Sequence, residues 1–448
     1  MTDTWAAPPS RAELLERGRR VRRERPRSGL AGRATGERDP LGILATQNAT
    51  RVPDLVPLRR ERMAASPFAF FRGTAALMAA DLADAPHSGI LVASCGDAHV
   101  SNFGFYASPE RSLVFDLNDF DEAAAAPWEW DVKRLVTSVV IGGRAAGRSE
   151  AATEEAARAA ITSYVRGLRR GTKLSPTERY FSHFTVAASM AVLDDASRQA
   201  IRRAVKQAER RTGERAVRRL TSPDADGRLR FAHEPPAMGP VGEETRDLVD
   251  GLVTEFRRTT SPDVAQLFEH YRVADIARRV VGVGSVGTRC YLVLLQDGDG
   301  NSLLMQPKEA GRSVLEEYGR ISQPEGLRER VASFGEGARV VTMQKVLQGL
   351  SDPFLGHLRS RGSDYYVRQF HDMKGGVEVE QLDDAPYATY AQACAATLAR
   401  AHSQSVASTM AVGYIGDGER ITEALLAWSY AYADASLADY EAFRAFTP

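Results

Sequence analysis

Lysine is almost missing from this chain. Of 58 basic residues only Lys133, Lys173, Lys206, Lys308, Lys345 and Lys374 are lysines, and the rest are arginine. Such a bias says nothing about chemistry by itself. Because an ammonium and a guanidinium are not interchangeable, a lysine retained in a suggestive place carries weight. Cysteine is scarce too: Cys95, Cys290 and Cys394 are scattered and without CxxC spacing, against a disulfide framework and a structural zinc site. No apolar run approaches the roughly 20 residues of a membrane span. Excess charge is absent, with 58 basic against 58 acidic residues, so no global cationic surface for nucleic acid or anionic lipid is expected. The first forty residues carry ten arginines against six acids and no apolar stretch, unlike a secretory signal. The expectation is a cytoplasmic protein without nucleic-acid or membrane partners.

What is present is an ordinary globular composition: 448 residues, 43% hydrophobic and 26% charged, enough for two or three folding units. Residues 1–40 are polar and read as a solvated, flexible arm. Helical spacing runs from Leu41 to about Ala83, with Pro53, Pro57 and Pro67 as breaks. Ile90–Ser94 and Leu113–Phe115 read as short strands, and long amphipathic helices fill Trp128 to about Arg219. A turn-rich stretch follows. From Ile276 to Gln306, β-branched runs are broken by Asp297–Asn301, a hairpin signal. Arg339–Gln344 and Tyr365–Phe370 are further strand candidates, and Tyr390–His402 and Ile421–Phe443 are helical again. The pattern predicts an α+β protein of two lobes. Residues 41–265 would form a helical catalytic lobe, 266–385 an antiparallel nucleotide-binding lobe, and 386–448 helices that complete the first.

Three clusters carry candidate chemistry. Gly96–Asn102 follows an apolar strand and puts Asp97 and Asn102 five residues apart. That is the spacing of a kinase loop whose aspartate accepts the substrate proton and whose asparagine holds a metal. Asp116–Glu122 follows the next strand and offers acidic oxygens for Mg²⁺. Asx-rich loops are also ordinary turns; it is the pairing of the two that points to a metal–phosphate site. The third cluster is Gly282-Val283-Gly284-Ser285-Val286-Gly287. It lies between strands and so reads as a hairpin flap over phosphates, not as a dinucleotide turn that opens a helix. Lys308 ends a strand beside that flap and would hold the α- and β-phosphates. Glu316 and Glu329 are both candidates to orient it, and the sequence does not decide.

Ser66–Thr74, Cys95–Gly104, Asn118–Glu122, Pro127–Leu135 and Gly282–Cys290 together resemble the bacterial family called domain of unknown function 2252. The same loops resemble small-molecule kinases of the aminoglycoside phosphotransferase and choline kinase kind. That resemblance implies Asp97 as base, His99 as the loop histidine and Asn102 as a metal ligand. Asp119, followed by Pro127 and Asp131, would be the second ligand, with Asp116 as its rival. It also implies that the helix ending at His402 immediately precedes the catalytic loop in space. In such kinases the flap precedes the catalytic loop, whereas here it follows, so a circularly permuted protein-kinase-like fold is expected.

The implied activity is ATP- and Mg²⁺-dependent phosphoryl transfer to a hydroxyl of a small-molecule acceptor. Arg72 and Lys133 are candidates to bind an anionic group, or to pair with acids such as Asp131. One alternative is a metal-dependent phosphoesterase using Asp97, His99, Asp116 and Asp119. Others are a nucleotide-binding pseudokinase and a protein nucleotidyltransferase.

Overall fold

A computed structural model of the protein describes residues 7–186, 193–242, 245–370 and 373–446. It is a mixed α+β structure with a larger helical part and small antiparallel sheets. The main sheet has six strands in the order Gly356–Ser360, Ser363–Gln369, Ser302–Glu309, Tyr291–Gln296, Arg272–Arg279 and Met238–Gly239. Every neighbouring pair is antiparallel. The strand Tyr291–Gln296 shows why its sequence is apolar without alternation. Val293 and Leu295 pack with Phe256, Met305 and Val367, while Leu292 and Leu294 face Leu220, Phe231 and Leu304. Successive side chains point to opposite faces, and both faces are covered.

The main core lies in the helical part. Its centre is the helix Trp128–Ala145, buried almost along its whole length and flanked by Glu150–Gly171, Asp384–His402 and Glu419–Ala445. Two short ribbons are set into this part: Leu91–Ser94 paired with Ala124–Pro127, and Phe103–Ala107 paired with Leu113–Leu117. Among the described residues no helix is long and apolar enough to cross a membrane.

Two expectations from the sequence are corrected. The polar N-terminal arm is helical over Arg11–Glu24, started by a reciprocal capping box between Ser10 and Glu13. It lies so close to Ser408–Ile415 that a Cβ at Gly18 would sit 2.0 Å from the Met410 carbonyl oxygen. Arg339–Gln344, read as a strand, belongs to the helix Glu336–Leu347. Val340, Met343 and Leu347 recur at helical spacing and enter the main core; burial of that face overrides the β-propensity of the valines.

Lys133 also departs from its candidate role. It is completely buried in the central helix, its Nζ 4.5 Å from the centre of the Trp428 ring and without a hydrogen-bond partner. Burial pushes its pKa down from 10.5 to about 8 against the pull of Glu129. The folded state therefore disfavours the ammonium: the cost is present in full below pH 8 and relieved as the pH climbs toward 10.5. Lys133→Met is expected to raise stability at pH 7 by about 1–3 kcal/mol, the cation–π contact offsetting part of the gain. Urea denaturation at pH 7 and pH 10 checks this, since the difference between variant and wild type should shrink at the higher pH.

Candidate functional site

One cavity of about 110 Å³ is lined jointly by Asp97, His99, Asn102, Asp119, Gly282–Ser285 and Arg72. The first wall begins at the loop after Leu91–Ser94. Gly96 has φ 78°, and a Cβ there would lie 2.4 Å from the Glu122 carbonyl oxygen, so glycine alone lets the two loops approach. Asp131, on the central helix, fixes the start of this loop. Its carboxylate accepts from the amides of Cys95 (2.8 Å) and Gly96 (3.0 Å), and His402 Nε2 lies 3.1 Å away. The Tyr164 hydroxyl meets His402 Nδ1 at 2.8 Å.

Within the loop, Asn102 Nδ2 donates to the Asp97 carbonyl (2.8 Å). This fixes the amide and leaves Oδ1 free. Arg134 grips the Asp97 carboxylate through Nε (2.9 Å) and Nη2 (2.8 Å), and donates to the Phe71 carbonyl as well (2.7 Å). Burial nevertheless outweighs Arg134 and pushes Asp97 up to about 6. His99 is buried, its Nε2 3.6 Å from Asp97 Oδ2. Burial, with Arg72 and Arg134 nearby, holds it well below the usual histidine pKa, so the ring is neutral.

The facing wall is the glycine segment, which connects the adjacent antiparallel strands Arg272–Arg279 and Tyr291–Gln296 as the hairpin reading required. Gly282, Gly284 and Ser285 line the cavity. Gly287 does not: with φ 92°, it makes room for Arg51, whose Cβ would lie 2.9 Å from an added one. The flap is held from outside by the N-terminal helices. Arg62 donates to the Gly282 carbonyl (2.7 Å), the Val52 amide to that of Gly287 (2.8 Å) and Arg51 to that of Val286.

Lys308 lines neither this cavity nor the larger one that adjoins it, but it binds the acidic loop of the first wall. Its ammonium is buried, hydrogen-bonded to Asp121 and 3.8 Å from Asp119 Oδ1. Tyr366 donates to the other Asp121 oxygen (2.7 Å). Burial opposes the charge on Lys308, but Asp119 and Asp121 overcome it and hold its pKa well above the usual value. Asp119 is only half-buried, and Lys308, Arg368 and Lys374 keep it below the usual carboxylate pKa.

The remaining candidates lie elsewhere. Glu316 pairs with Arg312 (2.8 Å), and Glu329 is exposed; neither is a partner of Lys308. Asp116 does not line the cavity. It accepts from the amides of Leu117 and Gly349, both at 2.8 Å, with Arg400 at 3.9 Å. Residues the sequence reading passed over are Asp121, Arg134 and Arg339. Arg339, fully buried, donates to the carbonyls of Ala123 (2.6 Å), Asp121 (2.9 Å) and Gly311 (2.8 Å), pinning the acidic loop to the helix Glu336–Leu347. Its signal was hidden because the stretch read as a strand. Asp121 stood in plain view, two residues from the chosen Asp119.

As a metal site, the cavity offers two hard oxygens: Asn102 Oδ1 and Asp119 Oδ1, the latter buried and without a hydrogen-bond partner. Such donors suit Mg²⁺ when substrate phosphate and water supply the rest. Among the described residues no group of three or more His, Cys, Asp or Glu side chains is arranged to hold a metal by itself. A second, larger cavity of about 470 Å³ adjoins the first, for Val281 and Asn118 line it while their neighbours Gly282 and Asp119 line the small one. Its walls include Tyr106, Phe354, Phe370, Gln306 and Arg368.

Removing one partner of a buried ion pair leaves an uncompensated charge. Asp121→Ala is therefore expected to lower stability at pH 7 by about 3 kcal/mol in chemical denaturation, and the double variant Asp121→Leu/Lys308→Met to recover most of the loss.

No curated protein and no solved structure matches the chain. The family model described as "Uncharacterized protein conserved in bacteria (DUF2252)" matches residues 51–446. Every loop that lines the small cavity beyond Gln47 falls inside that span, and the chain belongs to this family.

Proposed function

We propose that this protein is an ATP- and Mg²⁺-dependent phosphotransferase, built as a circularly permuted kinase-like fold and acting on a hydroxyl of a small molecule. The observation that carries this reading is the joint lining of one cavity by Asp97, Asn102 and Asp119 with the glycine segment, together with Lys308 bound to the acidic loop 187 positions away. The permutation draws support from the helix Asp384–His402. His402 meets Asp131, and the Ser405 hydroxyl accepts from the Ala93 amide (2.8 Å), so the chain end of this helix adjoins the strand that leads to Asp97.

In this reading the nucleoside occupies the 470 Å³ cavity, a size suited to a small-molecule site. The backbone of Gly282–Ser285 and the ammonium of Lys308 hold the phosphates. Asn102 and Asp119 would hold Mg²⁺, which neutralises phosphate charge when bound. Asp97 takes the acceptor proton while the acceptor oxygen attacks the γ-phosphorus and ADP leaves. Arg134 keeps the Asp97 carboxylate aimed, and burial keeps its basicity high enough to accept a proton near neutral pH. The phosphoesterase alternative is weakened because Asp116 is engaged outside the cavity, so its four ligands do not converge.

ATP binding, measured with and without Mg²⁺, is expected for the wild type and should weaken roughly tenfold or more in Lys308→Ala and in Asp119→Ala. Unchanged binding in both variants would remove the nucleotide site. Asp97→Ala should bind ATP normally yet lose turnover by about 10²–10⁴-fold. The wild-type rate should fall as the pH drops through about 6, because protonated Asp97 cannot act as base. A pH–rate profile flat from 5 to 8 would refute the assignment of the base.

A further inference from the structure

The small cavity is lined by six charged side chains other than histidine, and five of them are already engaged. Asp97 is held by Arg134, Asp121 by Lys308, and Asp119 has Lys308 at 3.8 Å. Glu122 accepts from the Val314 amide (2.8 Å), and Arg51 donates to the Val286 carbonyl. The Glu122 carboxyl is also pushed up to about 7 by burial, which lessens its charge. The sixth is Arg72. Its guanidinium makes no hydrogen bond and no ion pair among the described residues, and its Nε is buried without a partner.

Arg72 is not loosely placed. It ends the helix Pro67–Arg72, which Ser66 caps and which the buried Phe70 and Phe71 anchor. A Cβ on Gly284 would lie 3.1 Å from the Arg72 carbonyl oxygen, so the flap rests on this backbone. Of the acids whose charges reach the guanidinium, Asp97 acts most strongly, ahead of Glu380 and Asp119. Arg72 thus stands at the base end of the cavity, whereas Lys308, outside the lining, is bound to Asp121 and near Asp119. A guanidinium on an anchored helix end, its Nε buried and its donors unspent, is a site for a planar or tetrahedral oxyanion.

We propose that Arg72 binds an anionic substituent, a carboxylate or a phosphate, on the acceptor, so that the enzyme phosphorylates the hydroxyl of a small hydroxy acid or phosphorylated alcohol. This rests on the phosphotransferase reading. The acceptor hydroxyl gives its proton to Asp97, its oxygen forms the new bond to the γ-phosphorus, and the bond from that phosphorus to the bridging oxygen of ADP breaks. Lys133, the other cation once considered for this task, is sealed against Trp428 and does not line the cavity.

The test uses the full chain saturated with Mg²⁺ and a non-hydrolysable ATP analogue. Glycerol, glycerate and glycerol 3-phosphate serve as probes in titration calorimetry. The wild type should bind at least one of the two anionic probes roughly tenfold or more tighter than glycerol. Arg72→Met should abolish that preference and Arg72→Lys restore part of it, with ATP and ADP affinities unchanged in both. Since the guanidinium has no hydrogen-bond or ion-pair partner among the described residues, the thermal midpoint should not fall. No preference in the wild type, or an equal preference in Arg72→Met, would overturn the proposal. So would a loss of ATP affinity without loss of ADP affinity in Arg72→Met, which places the arginine on the γ-phosphate instead. A wild type that binds no ATP at all sinks the phosphotransferase reading itself, a result distinguishable from the others.

Discussion

The contact of Lys308 with Asp121 and Asp119 is the constraint on which the geometry of the site depends. A buried ammonium is tolerated only where opposite charge and hydrogen bonds replace its water. The strand Ser302–Glu309 can therefore lie where it does only if the acidic loop lies against it. Tyr366 reaches the same carboxylate from the next strand, and Arg339 holds the backbone of the same loop from the helix Glu336–Leu347. Three elements of the sheet region thus converge on Asp121 and its neighbours. Asp119, two residues earlier, is carried into the cavity by that convergence. A lysine suits this junction because a compact ammonium can share two carboxylates without the fixed fork of a guanidinium.

The second wall is set by a different device. Glycine-rich segments are free to move when nothing holds them, yet this one is tied at three carbonyls by Arg51, Val52 and Arg62. Leu55 packs with Val280 and Val286 beneath the same segment. The flap's shape is therefore specified from residues 51–62, outside the sheet that carries it. The approach of Gly284 to the Arg72 carbonyl extends this contact into the cavity, so flap and arginine keep a fixed register.

Much of this was legible in the sequence where local rules suffice. The hairpin around the glycines follows from strand-like runs on both sides, and the loops after Leu91–Ser94 and Leu113–Leu117 from short apolar strands that end in Asx residues. Legibility failed where a residue's role depends on a distant partner. Glu316 had the right residue type close to Lys308 in sequence, but its helix turns it toward Arg312, and the carboxylate that meets the lysine comes from the far side of the chain. Asp119 was preferred with Asp116 as its rival, and spacing could not remove the rival, because only the alternation of the strand Leu113–Leu117 decides which one is directed toward Gly349 and which lies in the loop beyond. Arg339 was lost to a propensity argument, since two valines in a row suggest a strand unless the burial of Met343 and Leu347 is known. The N-terminal arm failed for the same reason, as its helix is stabilised by packing on Ser408–Ile415 that composition does not reveal.

Charge bookkeeping over the whole cavity then narrows what it can accept. Counting its four carboxylates alone would predict a site for cations. Arg134 and Lys308 cancel two of them, and the elevated pKa of Glu122, about 7, leaves that group partly protonated at neutrality. Besides Asn102 Oδ1, Nδ1 of the neutral His99 and Nε of Arg51, the polar ends left without a hydrogen bond among the described residues include one oxygen of Asp119 and the guanidinium of Arg72. The Asp119 oxygen suits a metal ion and the Arg72 guanidinium an oxyanion, and they occupy a single space of about 110 Å³. A bare cation would satisfy only the former and repel the latter, while a lone anion would do the reverse. On the proposed reading, metal-bound phosphate near Asp119 and an acidic acceptor near Arg72 satisfy both, with Asp97 as the proposed acceptor of the proton.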